Sequence, residues 1–154
     1  PYGTPQTSVP YMMVFDNLMK GKRAQWMADI NQPHSYTYIP DCANGLYLLA
    51  KSSDAWNQIW HLPTHSPAID GKTFIGLAAK ELGVNAKYSI LTKSFMRFGK
   101  LFSKIASEAY EMLYQNEFPY HFDSTKFNNH FNYTPANYEE GIKSTIEFIK
   151  NKTD

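Results

Sequence analysis

A few groups of side chains in this sequence have types and spacings that could do chemistry. Tyr47-Leu-Leu-Ala-Lys51 sets a phenol and an ammonium one helical turn apart, with Ser35 twelve residues upstream of the tyrosine. Such a pair could pass a proton to or from a substrate. With 11 tyrosines, and 15 basic residues of which only Arg23 and Arg97 are arginines, chance alone yields about one Tyr-x-x-x-Lys in 154 residues. The plain reading is a half-buried helix tyrosine beside a solvated lysine. His61 and His65 are also four apart, but Pro63 between them breaks any helix, so they do not read as zinc ligands. His34, His121 and His130 have no better claim, and no metal site is expected. Asp41 could serve as an acid or base, yet it reads fully as a helix N-cap before Cys42-Ala43. Cys42 is the one cysteine, which excludes an intrachain disulfide; on an apolar helix face it reads as inert core. A dinucleotide would need glycines that let the backbone approach its pyrophosphate at a helix start, and none of the 8 glycines forms Gly-x-Gly or Gly-x-x-Gly-x-x-Gly. No residue is therefore assigned a catalytic role.

The elements that must hold these groups follow from hydrophobic periodicity. Ser8 and Pro10 open a helix whose Tyr11, Phe15, Leu18 and Met19 share one face, and Gly21 stops it. Ala24 to Met27 reads as a strand. After the loop Asp29-Ile-Asn-Gln-Pro33, Tyr36 to Ile39 reads as a second strand that forms a small sheet with the first, and Asp41 caps a helix through Leu46, Leu49 and Ala50. Asn57 to Leu62 reads as a third strand ended by Pro63, Thr73 to Leu82 as a helix closed by Gly83, and Lys87 to Leu91 as a fourth strand. From Thr92 a long helix carries Phe95, Phe98, Phe102, Ile105, Ala109, Met112 and Leu113 on one stripe and ends before Pro119.

The last helix has the fullest start signal. Thr134 reads as its N-cap, Pro135 suits the first helical position, and Glu139 and Glu140 lie near the positive helix end. Tyr133 and Tyr138 have the spacing of a hydrophobic staple, and Tyr138, Ile142, Ile146 and Ile149 continue one apolar face.

At 154 residues the length suits one domain with a real core. A net charge of +1 with 19% charged residues leaves no basic field, so neither nucleic acid nor a membrane surface is expected as a partner. No apolar run reaches the length of a membrane span, and the start has no basic patch followed by a hydrophobic stretch. A cytoplasmic location is expected. The chain starts at Pro1 without methionine, as a fragment would. The aromatic content of 16% suits an aromatic-rich core, an aromatic-lined cleft, or surface bared by an absent neighbour.

Three blocks carry a family resemblance: Tyr2-Gly3; Ser35-Tyr-Thr-Tyr-Ile-Pro-Asp-Cys-Ala43; and Asp123-Ser-Thr-Lys126 leading through Phe131 and Thr134-Pro135 to Glu139-Glu-Gly-Ile142. Together they resemble the C-terminal half of an extended short-chain dehydrogenase/reductase, the NAD-dependent epimerase/dehydratase family. The first block is similar to the family's Tyr-Gly-Pro, with Thr4 in place of the proline. The second is similar to a hydrophobic strand followed by Asp-Val-Ala at a helix start, with Asp41 on the aspartate. The third is similar to the closing segment of these chains. The resemblance implies an α/β fold, a mainly helical substrate-binding part with a few short strands and the Rossmann N-terminal half missing. Residues 1–154 would then be a single C-terminal substrate-binding domain or fragment.

In that family the catalytic tyrosine, its lysine and the orienting serine follow several βα units, whereas Tyr47 and Lys51 come after the Asp41 block. The resemblance gives them no catalytic role. The family strand similar to Asn57 to Leu62 returns to the sheet of the cofactor domain. Here it would lack neighbours, and it should be repaired locally, pair with another chain, or fray. The family's substrate pocket implies Tyr2, Gly3, Gln6, Tyr11, Trp26, Tyr36 and Tyr38 as substrate-binding residues, against a core-packing reading of the same side chains. Many nucleotide-sugar members place an arginine just before the hydrophobic strand, where this sequence has His34. That departure argues against a nucleotide-sugar substrate, because bidentate phosphate binding favours guanidinium.

The implied function is the substrate-binding portion of an NAD(P)-dependent epimerase, dehydratase or reductase, inactive alone. Its implied partners are a missing N-terminal Rossmann portion carrying NAD or NADP and a small carbonyl or hydroxyl substrate; the chain alone should bind no cofactor. The alternative is a free-standing, non-catalytic small-molecule-binding or interaction domain derived from that fold. A fragment should expose an apolar face and self-associate, and a free-standing domain should not.

Overall fold

Alternation along Ala24-Gln-Trp-Met27 puts Ala24 and Trp26 on one face, and that face is buried at 0% and 7% exposure. In the computed structural model, which describes residues 1–3, 8–99, 107 and 110–153, this segment is strand β1 (Ala24–Met27). It pairs in parallel with β2 (Tyr88–Leu91), Ala24 opposite Tyr88 and Met27 opposite Leu91. The expected sheet between β1 and Tyr36 to Ile39 does not form. That stretch stays extended, but its backbone bonds go singly to different segments. Tyr2 donates to the Thr37 carbonyl at 3.0 Å, Ile39 donates to the Tyr2 carbonyl at 2.9 Å, and His34 bridges both Ile69 and Tyr120. With three neighbours sharing its edges, no ladder extends beyond isolated bridges.

The first helix begins with a π-helical turn (Tyr11–Phe15) and continues as α1 (Asp16–Met19). The Asn17 side-chain amide donates to the Met13 carbonyl at 3.0 Å and the Met12 carbonyl at 3.4 Å, bracing this turn. Gly21, at φ +67°, ends it as expected. The next helix, α2 (Ile39–Lys51), starts earlier than expected, with Pro40 in its first turn. Asp41 is therefore not its N-cap. The carboxylate is buried and faces another segment, accepting from the Tyr133 hydroxyl at 2.7 Å and the Ala136 amide at 3.0 Å.

Asn57 to Leu62 is not a strand. Asn57 sits in the left-handed region at φ +59°, and none of the amides from Ile59 to Leu62 finds a partner among the described residues. With no described strand alongside, the segment is held by side chains instead. Trp60 Nε1 donates to the Ala55 carbonyl at 2.8 Å, and Lys126 Nζ donates to the Ile59 carbonyl at 3.0 Å.

Helix α3 (Gly71–Leu82) is capped by Asp70, which accepts from the Thr73 amide at 2.8 Å, and is closed by Gly83 at φ +68°. Helix α4 (Lys93–Gly99) lies where the long helix after Thr92 is expected to start, and Phe102, Ile105 and Ala109 of that expected stripe lie outside the described residues. Of the expected stripe, Leu113, in a 3-10 turn, is at 0% exposure, while Phe95 and Met112 are at 65% and 57%. A short helix α5 (Thr125–Phe131) follows.

The last helix, α6 (Tyr138–Thr153), begins later than expected. Thr134 does not cap it, and Pro135 lies outside it. Asn137 Oδ1 accepts from the Glu140 amide at 2.9 Å while Glu140 Oε2 accepts from the Asn137 amide at 3.3 Å, a reciprocal box that fixes the start at Tyr138. The apolar face is as read: Tyr138, Ile142, Ile146 and Ile149 are all buried. They join Phe74, Ile75, Ala78 and Ala79 of α3, Val14, Phe15 and Leu18 of the first helix, and Tyr2 in one core. No helix among the described residues is long and apolar enough to cross a membrane.

Candidate functional site

The extended stretch from His34 to Tyr38 positions two clefts. Successive side chains of an extended chain point to opposite faces, so His34, Tyr36 and Tyr38 lie on one side and Ser35 and Thr37 on the other. A cleft of about 410 Å³ takes Ser35 together with Thr64, His65, His121, Asp123, Ser124 and Asn128. Its walls are bound to one another: Ser35 Oγ accepts from the Phe122 amide at 3.0 Å, Thr37 and Thr64 share a hydroxyl bond at 2.7 Å, and Ser124 Oγ accepts from the Thr64 amide at 3.1 Å. Asp123 is held below the usual carboxylate range, chiefly by its bonds from Thr125.

The second cleft, about 520 Å³, is lined by His34, Tyr114, Gln115, Asn116, Phe118, Pro119 and Tyr120. His34 is fixed on both backbone sides by Ile69, donating at 2.9 Å and accepting at 3.2 Å. Its ring stacks on Tyr36 at 6.2 Å and packs against Tyr120 at 6.4 Å. Burial lowers its pKa, outweighing a hydrogen bond with the Phe118 backbone that favours the charged ring; His121 adds to the lowering. The imidazole is thus neutral at neutral pH. Nε2 is buried and has no hydrogen-bond partner.

The side chains expected to bind substrate are largely gathered into the aromatic core. Tyr2 packs on Tyr38 at 5.3 Å and on Phe74 at 5.7 Å, and Trp26 packs on Tyr36 at 6.1 Å. Tyr11 is half-buried against the same core. Gly3, at φ +118°, lies so close to the Tyr38 ring that a Cβ there would come within 2.9 Å of it. Gln6 lies outside the described residues. Neither cleft takes any of these side chains among the described residues, although His34 stacks directly on Tyr36. Burial raises the pKa values of Tyr2 and Tyr36, so neither is an acid or base near neutrality.

Tyr47, Lys51 and Ser35 do not meet at one site. Tyr47 is exposed, Lys51 Nζ sits over its ring face at 4.9 Å from the centroid, and the Ser35 hydroxyl belongs to the smaller cleft. The histidines are engaged separately. His61 Nδ1 is 2.7 Å from the Asp123 carbonyl, His65 meets the Tyr138 ring edge-on, and His130 pairs with Asp54 at 3.2 Å. The described residues hold no cluster suited to a metal. Burial pushes the Cys42 thiol up, away from the reactive thiolate.

Most of the described glycines have an internal structural role. Extra Cβ atoms at Gly45, Gly71 and Gly141 would strike Pro63, Trp26 and Tyr2, so these glycines serve internal packing, and Gly21 and Gly83 end helices. The His34 cleft escaped sequence reasoning because Tyr114 to Phe118 read only as the tail of a long helix and Pro119 as its end. The aromatics and amides crowded against Pro119 were the available signal.

No known family profile matches the sequence, and no curated protein matches it. Solved structures do. The chain overlays on UDP-glucuronic acid 4-epimerase from Bacillus cereus, in complex with NAD, with a TM-score of 0.66 over 92% of its length at 14% identity. It overlays on dTDP-glucose 4,6-dehydratase from Bacillus anthracis, also in complex with NAD, with a TM-score of 0.66 over 97% of its length at 12% identity. It spans 39% and 42% of those two chains. At such identities the likeness is one of fold: the chain shares the α/β fold of about two fifths of each of these two chains.

Proposed function

We propose that residues 1–154 form one substrate-binding domain of an NAD(P)-dependent epimerase, dehydratase or reductase. It acts with a Rossmann portion that supplies NAD or NADP and the groups that move hydride and proton. One observation carries this reading: 92% to 97% of the chain overlays on about two fifths of two NAD-bound chains. The segment around Ile59 supports it, because an apolar stretch with open backbone amides is ready to join a sheet edge. In this division of labour the chain contributes recognition and the exclusion of water, and a cytoplasmic location goes with it.

The test is a fluorescence titration of NADH and NADPH into the natural full-length protein and into residues 1–154 alone. Saturable binding by the full-length protein only is expected. Binding by residues 1–154 alone, or by neither, contradicts the division, and the second result favours a free-standing binding domain.

A further inference from the structure

We propose that the cleft between His34 and the segment from Tyr114 to Tyr120 binds an uncharged small molecule that carries an aromatic ring. This site goes beyond the reading above, because it stands on side chains of residues 1–154 whether or not a cofactor portion joins them. Three rings of one short segment line the cleft and remain open to solvent: Tyr114, Phe118 and Tyr120 are 58%, 66% and 53% exposed. Aromatic side chains left this open forgo apolar burial, and their grouping around one concavity marks a surface that a ligand covers. The cleft holds about 520 Å³, within the span of small-molecule sites of about 300–1,000 Å³.

The segment that carries the rings is fixed at both ends. Leu113 is fully buried before it. At Tyr120 the amide donates to the Pro33 carbonyl at 2.9 Å, the carbonyl accepts from the Ser35 amide at 2.9 Å, and the ring packs against His34 at 6.4 Å. Between these points Lys93 Nζ donates to both carboxylate oxygens of Glu117, at 3.0 and 3.1 Å. A loop held this way spares a ligand much of the cost of ordering it. Among the described residues that line the cleft, none carries a charge at neutral pH: burial keeps the His34 ring neutral, and the neighbouring Glu117 is matched by Lys93. A charged ligand would give up hydration there and meet no opposite charge. The open π faces favour a further aromatic ring, offset or edge-on, and the neutral amides of Gln115 and Asn116 can both donate and accept at a hydroxyl or carbonyl on its rim.

The experiment is calorimetric titration of the natural full-length protein, with and without NADH. The probes are 2-naphthol, 2-naphthoate as the same rings bearing a charge, and methyl glucoside as an uncharged ring that is not aromatic. Saturable binding of 2-naphthol is expected, at least about tenfold tighter than either other probe and unchanged by NADH. Phe118→Ala should weaken 2-naphthol at least about fivefold and Phe118→Leu, apolar but without a ring, at least about threefold, while Phe118→Tyr should stay within about twofold. Because Phe118 is 66% exposed, the three variants should keep the parent's denaturation midpoint, so that lost binding is not lost folding. Absence of 2-naphthol binding, equal or tighter binding of 2-naphthoate or methyl glucoside, competition by NADH, or parental affinity in Phe118→Ala or Phe118→Leu overturns the proposal. Failure of NADH itself to bind, with the 2-naphthol pattern intact, would instead overturn the cofactor-partner reading alone.

Discussion

Helix α6 and the segment from Trp56 to Leu62 both carry large apolar side chains, and their fates are opposite. Ile142, Ile146 and Ile149 are 1%, 0% and 4% exposed against α3, whereas Trp56 and Ile59 are 61% and 85% exposed. The helix satisfies its own backbone and needs only a surface to bury against, which Phe74, Ile75, Ala78 and Ala79 supply. An extended segment needs neighbours for its backbone as well, and none of the described residues accepts from the amides of Ile59 to Leu62. One side of the molecule is self-sufficient; the other is suited to a sheet supplied from elsewhere.

The contrast can be broken first at α6. Ile146→Ala should cost about 2–5 kcal/mol in a denaturant titration, because deleting a fully buried side chain removes apolar burial and leaves a cavity. Gly71→Ala drives a Cβ into the Trp26 ring, and overpacking of about 1–3 kcal/mol is expected in the same assay. Asp41→Asn weakens the tie between α2 and the approach to α6, where the carboxylate accepts from Tyr133 and Ala136; a loss of about 1–3 kcal/mol is expected. The buried phenols give a pH signature. Burial raises Tyr2 and Tyr36 above the ordinary value of 10.0, so their contribution is fully present below pH 10 and is lost as pH rises beyond it. Denaturation at pH 8 and pH 10.5 should show this loss, and Tyr36→Phe should reduce it. The smallest effect is expected at Ile59→Ser, which should change the stability of residues 1–154 by less than about 0.5 kcal/mol.

What could be read from the sequence follows the same contrast. The buried face of α6, the bounds of β1, and the ends of α3 and of the first helix at Gly83 and Gly21 are local signals of period and capping, and they were legible. The start of α6 was not. Thr134-Pro135 and Asn137-x-x-Glu140 both spell a helix start, and the reciprocal bonds of Asn137 and Glu140 decide between them. Asp41 looked like a cap because a carboxylate near a helix start usually is one; its partner Tyr133 is 92 residues away. The strands expected at Tyr36 and Asn57 failed because a strand depends on a neighbour that its own residues do not name. The His34 cleft depends on Pro33 to Ser35 meeting Ile69 and Tyr120 across the fold, a juxtaposition with no local signature.

The central claim is that the open side around Ile59 is completed by a cofactor-binding portion. Hydrogen exchange of the amides from Ile59 to Leu62, in the natural full-length protein saturated with NADH and in residues 1–154 alone, tests it most directly. Slow exchange in the first and fast exchange in the second is the predicted result. Fast exchange in both would contradict the account.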